Sequence, residues 1–384
     1  MLYFSAARLA AMALLIICSS GCGSSNDGSN AGTAKPNAGN GKTAAGATKR
    51  IVFLTNGDDP YWDTCRAGFN EAAEKHGLAA AGIAVDFQKG NGKLEGQIER
   101  LRQYASESDV AGVAISVINA ENKGLAVELE KLRNNGVHVI TVDSDINVTK
   151  YPKARSYYLG TDNLVGGKTL GAAAKALLES KGIKSGAYVQ FAGFRDQDNA
   201  RARMNGFQEA LGDAFKELDR MPDEMKDDVA HANVRSALDK FGQDNLVALT
   251  GIFAYNTPAI VDVLSERSVR DKYSVFCFDA AQDSIKAMSE GNVDVMVVQN
   301  PFEMGARSVE LLNAMIQWDQ ATIKKMYPKE ASEPGHDVFT TGLRVVVPDD
   351  TSPIKADLFK EGTVELMTLP AFKDWLAKYK LKSS

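Results

Sequence analysis

From Ile51 onward the chain alternates between two hydrophobic periods, and this alternation restricts the fold more than any other feature. Short runs rich in β-branched and aromatic residues recur at 51–54, 84–87, 110–115, 137–142, 156–159, 187–191, 246–253, 274–278 and 293–298. Near-continuous apolarity over such short runs suits strands covered on both faces, as in a parallel sheet. Between the runs lie stretches with helical spacing. Residues 61–76 place Trp62, Cys65, Phe69, Ala72 and Ala73 on one side, and 163–180, 199–211, 258–267 and 301–318 behave alike. Strand, helix, strand at this spacing predicts βαβ units in an α/β fold with doubly wound sheets. About nine or ten strands would make one very wide sheet or two ordinary ones. The stretch 147–156, NVTKYPKARS, breaks the pattern midway with proline and charge. The expectation is therefore two Rossmann-like, parallel-sheet lobes divided near residue 150, and 384 residues leave room for two domains and hardly three.

The segment ahead of this pattern reads as an address. Arg8 precedes an apolar run over 9–18, then Ser19-Ser20-Gly21 and Cys22. The run is about half the ~20 residues that a membrane-crossing helix needs, so it fits the core of a secretory signal over 1–21. Small residues just before a cysteine resemble a bacterial lipobox, with Ser19 where Leu, Val or Ile is usual, and this makes Cys22 the candidate lipidation site. The alternative is an ordinary secretory signal cut nearby, which would still export the protein. Residues 23–48 hold no large apolar side chain and cannot bury enough surface to offset their ordering entropy. They form a candidate flexible tether of roughly 25–30 Å root-mean-square length, at ~5–6 Å × √n for a Gly-rich chain.

Composition then excludes partners. Forty-four basic against 49 acidic residues give a net charge of -5. Nucleic acid-binding domains carry a basic footprint that this chain lacks, so neither DNA nor RNA is an expected partner, and a membrane is expected only through the lipid anchor. No cofactor is expected either. The nearest signal, Gly90-Asn91-Gly92-Lys93-Leu94-Glu95-Gly96, spaces its glycines one residue too widely for a dinucleotide fingerprint. There is no phosphate-loop lysine motif, no zinc-protease helix motif and no nucleophile elbow, and His76, His138, His231 and His336 show no metal-ligand spacing. Cys65 and Cys277 fall in a predicted helix and a predicted strand of different lobes and are expected to stay as buried thiols. The chain is therefore not expected to be an enzyme.

Open α/β sheets bind ligands at the carboxyl ends of their strands, and polar residues recur there. Thr55-Asn56-Gly57-Asp58-Asp59-Pro60-Tyr61-Trp62 follows the first strand, Ser116 the third and Asp143 the fourth; Asn256, Asp279 and Gln299 follow three later ones. Each reads singly as a cap or turn residue, with Asp59 an N-cap and Trp62 a core residue. Capping does not explain why Asn, Asp and Gln recur together with the Arg-rich helix start Asn199-Ala200-Arg201-Ala202-Arg203.

In order along 49–347, the chain resembles the ribose/galactose-type periplasmic sugar-binding proteins of ABC transporters. The resemblance is carried by Asp59-Pro60-Tyr61-Trp62; Val139-Ile140-Thr141-Val142-Asp143; Thr161-Asp162-Asn163 with Gly166-Gly167-Lys168; Ala200-Arg201-Ala202-Arg203 ahead of Gly206-Phe207; Phe253-Ala254-Tyr255-Asn256; Phe276-Cys277-Phe278-Asp279; and Val298-Gln299-Asn300-Pro301. It implies a type I periplasmic binding protein fold, two similar lobes joined by a three-segment hinge and closing on a sugar. The expected lobes are 49–150 with about 300–335, and 151–299 with about 336–348. Carried over position by position, the resemblance assigns ligand contacts to Asp59, Tyr61, Trp62, Asp143, Arg201, Asn256, Asp279 and Gln299, with Thr55 and Ser116 matching more loosely. Ser144 departs from the pattern, since some sugar binders place an arginine there, and this counts against ribose itself. The implied partners are a monosaccharide or related polyol and an ABC permease, with the protein a monomer. A sensor that presents the closed complex to a chemoreceptor or kinase is the alternative. Residues 349–384 lie beyond the resemblance, carry a helix pattern over 371–380, and either pack on a lobe, as expected, or meet a partner.

Overall fold

The structure is a computed structural model that describes residues 48–384, apart from 196, 244, 330–334 and 361. The candidate export signal, Cys22 and nearly all of the candidate tether lie outside the described residues. The chain builds one sheet, crosses to build a second, returns to the first and crosses again. The first passage comprises β1 (Lys49–Leu54), α1 (Tyr61–Lys75), β2 (Ile83–Gln88), α2 (Leu94–Ser106), β3 (Val110–Ile115), α3 (Lys123–Asn134), β4 (His138–Val142) and β5 (Tyr157–Gly160). The second comprises α4 (Asn163–Ser180), β6 (Gly186–Ala192), α5 (Asp198–Leu211), β7 (Phe215–Pro222), α6 (Asp227–Phe241), β8 (Leu246–Gly251), α7 (Asn256–Glu266), β9 (Ser274–Phe278), α8 (Gln282–Ser289) and β10 (Val295–Val298). The return supplies α9 (Pro301–Gln317), α10 (Gln320–Met326) and β11 (Val338–Thr340), and the last crossing leads to β12 (Leu343–Val347), β13 (Val364–Thr368) and α11 (Leu369–Lys378).

The two sheets repeat one topology. The six-stranded sheet runs β11-β5-β4-β3-β1-β2 and the seven-stranded one β13-β12-β10-β9-β8-β6-β7, parallel throughout except where β12 joins β10 antiparallel. Alternation along each strand feeds two cores. In β1, Ile51 and Phe53 face α1 and α9, while Val52 and Leu54 face α2 and α3. All four are essentially solvent-free, and fully burying side chains of this size stabilises a fold by about 1.5–3 kcal/mol each.

The crossings are symmetric too. The helix after the last strand of each five-strand set passes into the other lobe and packs on that lobe's first helix, α4 against α5 and α9 against α1. Glycines permit both contacts. A Cβ on Gly167 would lie 2.0 Å from the Arg203 carbonyl oxygen, and one on Gly305 would lie 1.9 Å from that of Cys65, so only a residue without a side chain lets the helices approach this closely.

Two sequence expectations need correction. The stretch 147–156 does not divide the lobes, because β5 pairs with β4 through Ile140–Tyr157 and Val142–Leu159, so the first crossing falls after Gly160. The charge at 155 belongs inside. Arg155 is buried, bonding Asp145 at 2.6 Å and also pairing with Asp337. Strand β11 likewise belongs to the first sheet, beside β5, and not with 336–348 in the second. The expected packing of the tail on a lobe is met, since 349–360 and 362–384 join the second sheet's layer. Strand β13 pairs parallel with β12, and Phe372 and Leu376 of α11 enter that lobe's core. Cys65 and Cys277 are buried free thiols, as expected.

Candidate functional site

The carboxyl ends of the two strand sets converge on a cavity of about 400 Å³ lined by residues of both lobes. On the first lobe, the loop after β1 is shaped by Thr55, whose buried hydroxyl donates to the Gly57 carbonyl at 2.6 Å and accepts from the Gly90 N–H at 2.8 Å. Asp59 Oδ1 then accepts the Tyr61 N–H at 2.8 Å; Asp59 stands one residue ahead of the N-cap position, which Pro60 holds, and stays on the cavity rim. Pro60 precedes the first helical residue with a helical φ of -55°. These restraints deliver two aromatic rings to the cavity. Trp62 donates from Nε1 to Asn56 Oδ1 at 3.2 Å and packs edge-on against Tyr61, with centroids 5.0 Å apart. It is both core residue and cavity wall.

Asp143 stands just beyond β4 with φ 66°, and Asp279 just beyond β9 with φ 69°. Positive φ is costly for a residue with a Cβ, and Asp and Asn tolerate it better than most. In both cases the turn aims a carboxylate across the strand ends into the cavity. Asp143 Oδ1 accepts from the Tyr61 hydroxyl at 3.0 Å, and Oδ2 lies 3.4 Å from the Ser116 hydroxyl. Asp279 Oδ1 accepts from Gln299 Nε2 at 2.9 Å, and Oδ2 lies 3.3 Å from Arg203 Nη1. Burial pushes Asp143 up to about 6, against the pull of Arg203 and of the Tyr61 hydrogen bond. Burial raises Asp279 as well, opposed by Arg203 and Gln299. Burial, with the charge of Asp143, also raises the Tyr61 phenol well above its ordinary value, keeping it a neutral donor.

Arg203 is the buried cation among the residues that line the cavity. Its side chain is 3% exposed, sandwiched between the rings of Phe278 at 4.0 Å and Phe253 at 5.1 Å. It donates from Nε to Asn163 Oδ1 at 2.9 Å and from Nη1 to the Ile252 carbonyl at 3.1 Å. None of these bonds uses Nη2. Among the described residues, no group of three or more His, Cys, Asp or Glu is arranged to hold a metal ion.

A family model described as a periplasmic binding protein domain matches residues 50–320. The chain belongs to that family. Among its relatives is the ribose import binding protein of Salmonella typhimurium, 24% identical over 292 residues that cover 72% of this chain and 87% of the relative. The arabinose-binding protein of Geobacillus stearothermophilus superposes with a TM-score of 0.64 at 20% identity, covering 78% of this chain and 96% of that one. An ABC transporter solute-binding protein of Burkholderia graminis, solved in complex with D-arabinose, gives 0.63 at 24% identity over 79% and 96%. The two-sheet architecture is accordingly that of the type I periplasmic binding proteins.

Within this periplasmic binding protein, Asp59, Tyr61, Trp62, Asp143, Asp279 and Gln299 line the cavity together. Four carried-over residues sit elsewhere, Thr55 among them, fully buried in the loop after β1. Ser116 is fully buried behind Asp143 and supports it. Asn256 is buried away from the cavity, where its amide donates to Asp223 Oδ2 at 2.6 Å and its Oδ1 accepts from the Phe253 N–H at 2.9 Å. It therefore shapes the loop that presents Phe253 and Tyr255, whose rings stack 5.7 Å apart at the cavity. Arg201 lies on the outer face of α5 and pairs with Asp198. The arginine of the site is Arg203. Helical spacing carried the signal, since Ala200, Arg203, Met204, Phe207 and Leu211 form the buried stripe of α5, and Arg201 falls off it. Lys382, Ser383 and Ser384 also line the cavity, and no local feature of the sequence points there.

Proposed function

We propose that this chain is an exported solute-binding protein that captures a monosaccharide or related polyol between its lobes and delivers it to an ABC permease. The observation that carries this reading is the convergence of Tyr61, Trp62 and Asp143 from one lobe with Arg203, Asp279 and Gln299 from the other on one cavity. Aromatic faces suit the apolar C–H patches of a sugar ring. Its hydroxyls both donate and accept, and they meet carboxylates that only accept, a guanidinium that only donates and an amide that does both. A cavity of about 400 Å³ lies in the usual range for small-molecule sites, roughly 300–1,000 Å³.

A ligand missing one hydroxyl would strand a buried polar group, at a cost of about 1–3 kcal/mol, which is the basis for stereochemical choice. Because the contacts come from both lobes, the ligand favours the closed arrangement by its differential affinity for it. Relatives named for ribose import and arabinose binding support a sugar of this size. Lipidation at Cys22 and the tether would hold the binder close to a membrane-embedded permease. Among the described residues no helix is long and apolar enough to cross a membrane itself.

A thermal-shift screen over pentoses, hexoses, polyols and inositols tests the reading. At least one class should raise the melting temperature of the intact protein, and Asp279→Ala should remove that rise. A flat response across the panel would overturn it.

A further inference from the structure

The segment beyond the family resemblance reaches the ligand cavity and touches both lobes. Helix α11 is rooted in the second lobe through Phe372 and Leu376. Its next face meets the first lobe. The Tyr379 ring lies 4.6 Å and the Trp375 ring 5.9 Å from Phe302, and Phe302 is held in the first lobe because its backbone packs on Gly68 of α1. Arg344 covers the other side of Trp375 at 4.1 Å. Beyond α11, Leu381 packs against the second lobe's core, and Lys382, Ser383 and Ser384 turn onto the cavity.

There the segment makes hydrogen bonds in two directions. Ser384 exchanges backbone bonds with Ala280, the neighbour of Asp279, at 3.1 and 3.2 Å. The carbonyl of Ser383 accepts from the Thr64 hydroxyl of α1 at 2.8 Å. Ser383 and Ser384 are 8% and 3% exposed, and their hydroxyl oxygens are buried without a hydrogen-bond partner among the described residues. Desolvated hydroxyls left unpaired are unfavourable, so packing alone does not account for serine at both positions on the wall of a cavity suited to a polyhydroxyl ligand.

We propose that 382–384 form a fixed wall of the ligand site and, together with Trp375 and Tyr379, a fourth tie between the lobes beside the three chain crossings. The wall limits the ligand to a single sugar ring, and the tie raises the fraction of ligand-free protein in the closed arrangement. Apparent affinity scales with that fraction, so the same segment sets both size selection and affinity. The ligand half of this inference rests on the sugar-binding reading; the tie does not.

Deletion of 382–384, with Thr64→Val as a second variant that leaves the chain intact, provides the test. Circular dichroism melting verifies that each variant is folded. Small-angle scattering without ligand reads the tie, and the radius of gyration should rise in both variants. Calorimetric titration with the monosaccharide panel and with maltose, lactose and cellobiose reads the wall. The deletion should weaken monosaccharide binding tenfold or more and admit a disaccharide, and Thr64→Val should weaken it two- to fivefold without admitting one. Tighter monosaccharide binding after deletion would mean that the segment is a plug that must leave, and would overturn the proposal. Unchanged scattering with unchanged affinity would overturn it as well. Should the intact chain bind no sugar of the panel, the sugar reading fails, and the scattering alone still decides the tie.

Discussion

Asp143 and Asp279 occupy the same place in the two lobes, and their partners differ. Each follows the fourth strand of its set, each has a positive φ, and each sends its backbone N–H to the neighbouring fifth strand, to Leu159 at 3.0 Å and to Val297 at 2.8 Å. The first lobe surrounds its carboxylate with neutral hydroxyls, those of Tyr61 and Ser116. The second holds its carboxylate with a guanidinium and an amide. A repeated backbone thus carries two electrostatic designs. Burial raises both carboxylates, Asp143 up to about 6; neutral hydroxyls bond the first, whereas an ion pair joins Asp279 to Arg203. The cavity is thus walled by a softer, hydroxyl-bonded carboxylate on one side and a fixed ion pair on the other.

The largest expected effect breaks the fixed side. Arg203→Met keeps much of the side-chain volume between Phe253 and Phe278 but leaves Asp279 without its cation. Breaking a buried pair costs about 3–5 kcal/mol, and the open cavity argues for the low end. We expect a drop in ligand-free stability of about 3 kcal/mol in denaturant unfolding and at least a hundredfold loss of sugar affinity in calorimetry.

The softer side should respond with the opposite sign. The folded value of about 6 for Asp143 lies above the ordinary 3.8, so the folded protein takes up a proton in this window that the unfolded chain does not. Stability contributed by this group is therefore present below about pH 4 and is lost as pH rises through 6. At pH 7, Asp143→Asn should stabilise the ligand-free protein by roughly 1–2 kcal/mol, the value allowed by a shift of this size once partial exposure is discounted. Asparagine also tolerates the positive φ. Binding should run the other way. Wild-type affinity falls on acidification through pH 6 as a charged acceptor is lost, and the asparagine variant binds weakly with a flat profile, both read by titration between pH 5 and 8.

Tyr61→Phe is a smaller change, removing one donor to Asp143 while keeping the ring. A loss of about 1 kcal/mol, or five- to tenfold in affinity, should come with a further upward move of the acid limb. Arg201→Ala, at the outer face of α5, should leave affinity within twofold. That pair of results would separate the arginine of the site from its neighbour two residues away.

Much of this was legible in the sequence because central strands and first helices announce themselves. Strands β3 and β9 have the bounds that their apolar runs predict, and α4 the bounds that its spacing predicts. Of the strands outside those apolar runs, β7, β11 and β13 lie at sheet edges, and β12 lies between β13 and β10. An edge strand has one neighbour and one protected side at most, so FKELDRMP along β7 carries no continuous apolar run. The lobe boundary was misplaced for a related reason. Proline and charge at 147–156 mark a surface connection within one sheet, and Arg155 turns inward to Asp145 and Asp337, a pairing across 182 residues that no local pattern reveals. Strand-end carboxylates were legible because they follow directly from the strands. The motif Ala200-Arg201-Ala202-Arg203 points to Arg201 only when helical phase is ignored, and phase puts Arg203 on the buried stripe of α5. Lys382–Ser384 could not be placed, since their role depends on where α11 docks.

The central claim is that the two lobes supply unlike halves of a single site. Hydrogen exchange with and without the tightest sugar of the panel tests it most directly. One saturating ligand should slow exchange together at 59–62 and 143–144 in the first lobe and at 253–256 and 279–282 in the second, with equal dependence on ligand concentration. Protection confined to one lobe, or two sets with different concentration dependence, would contradict it.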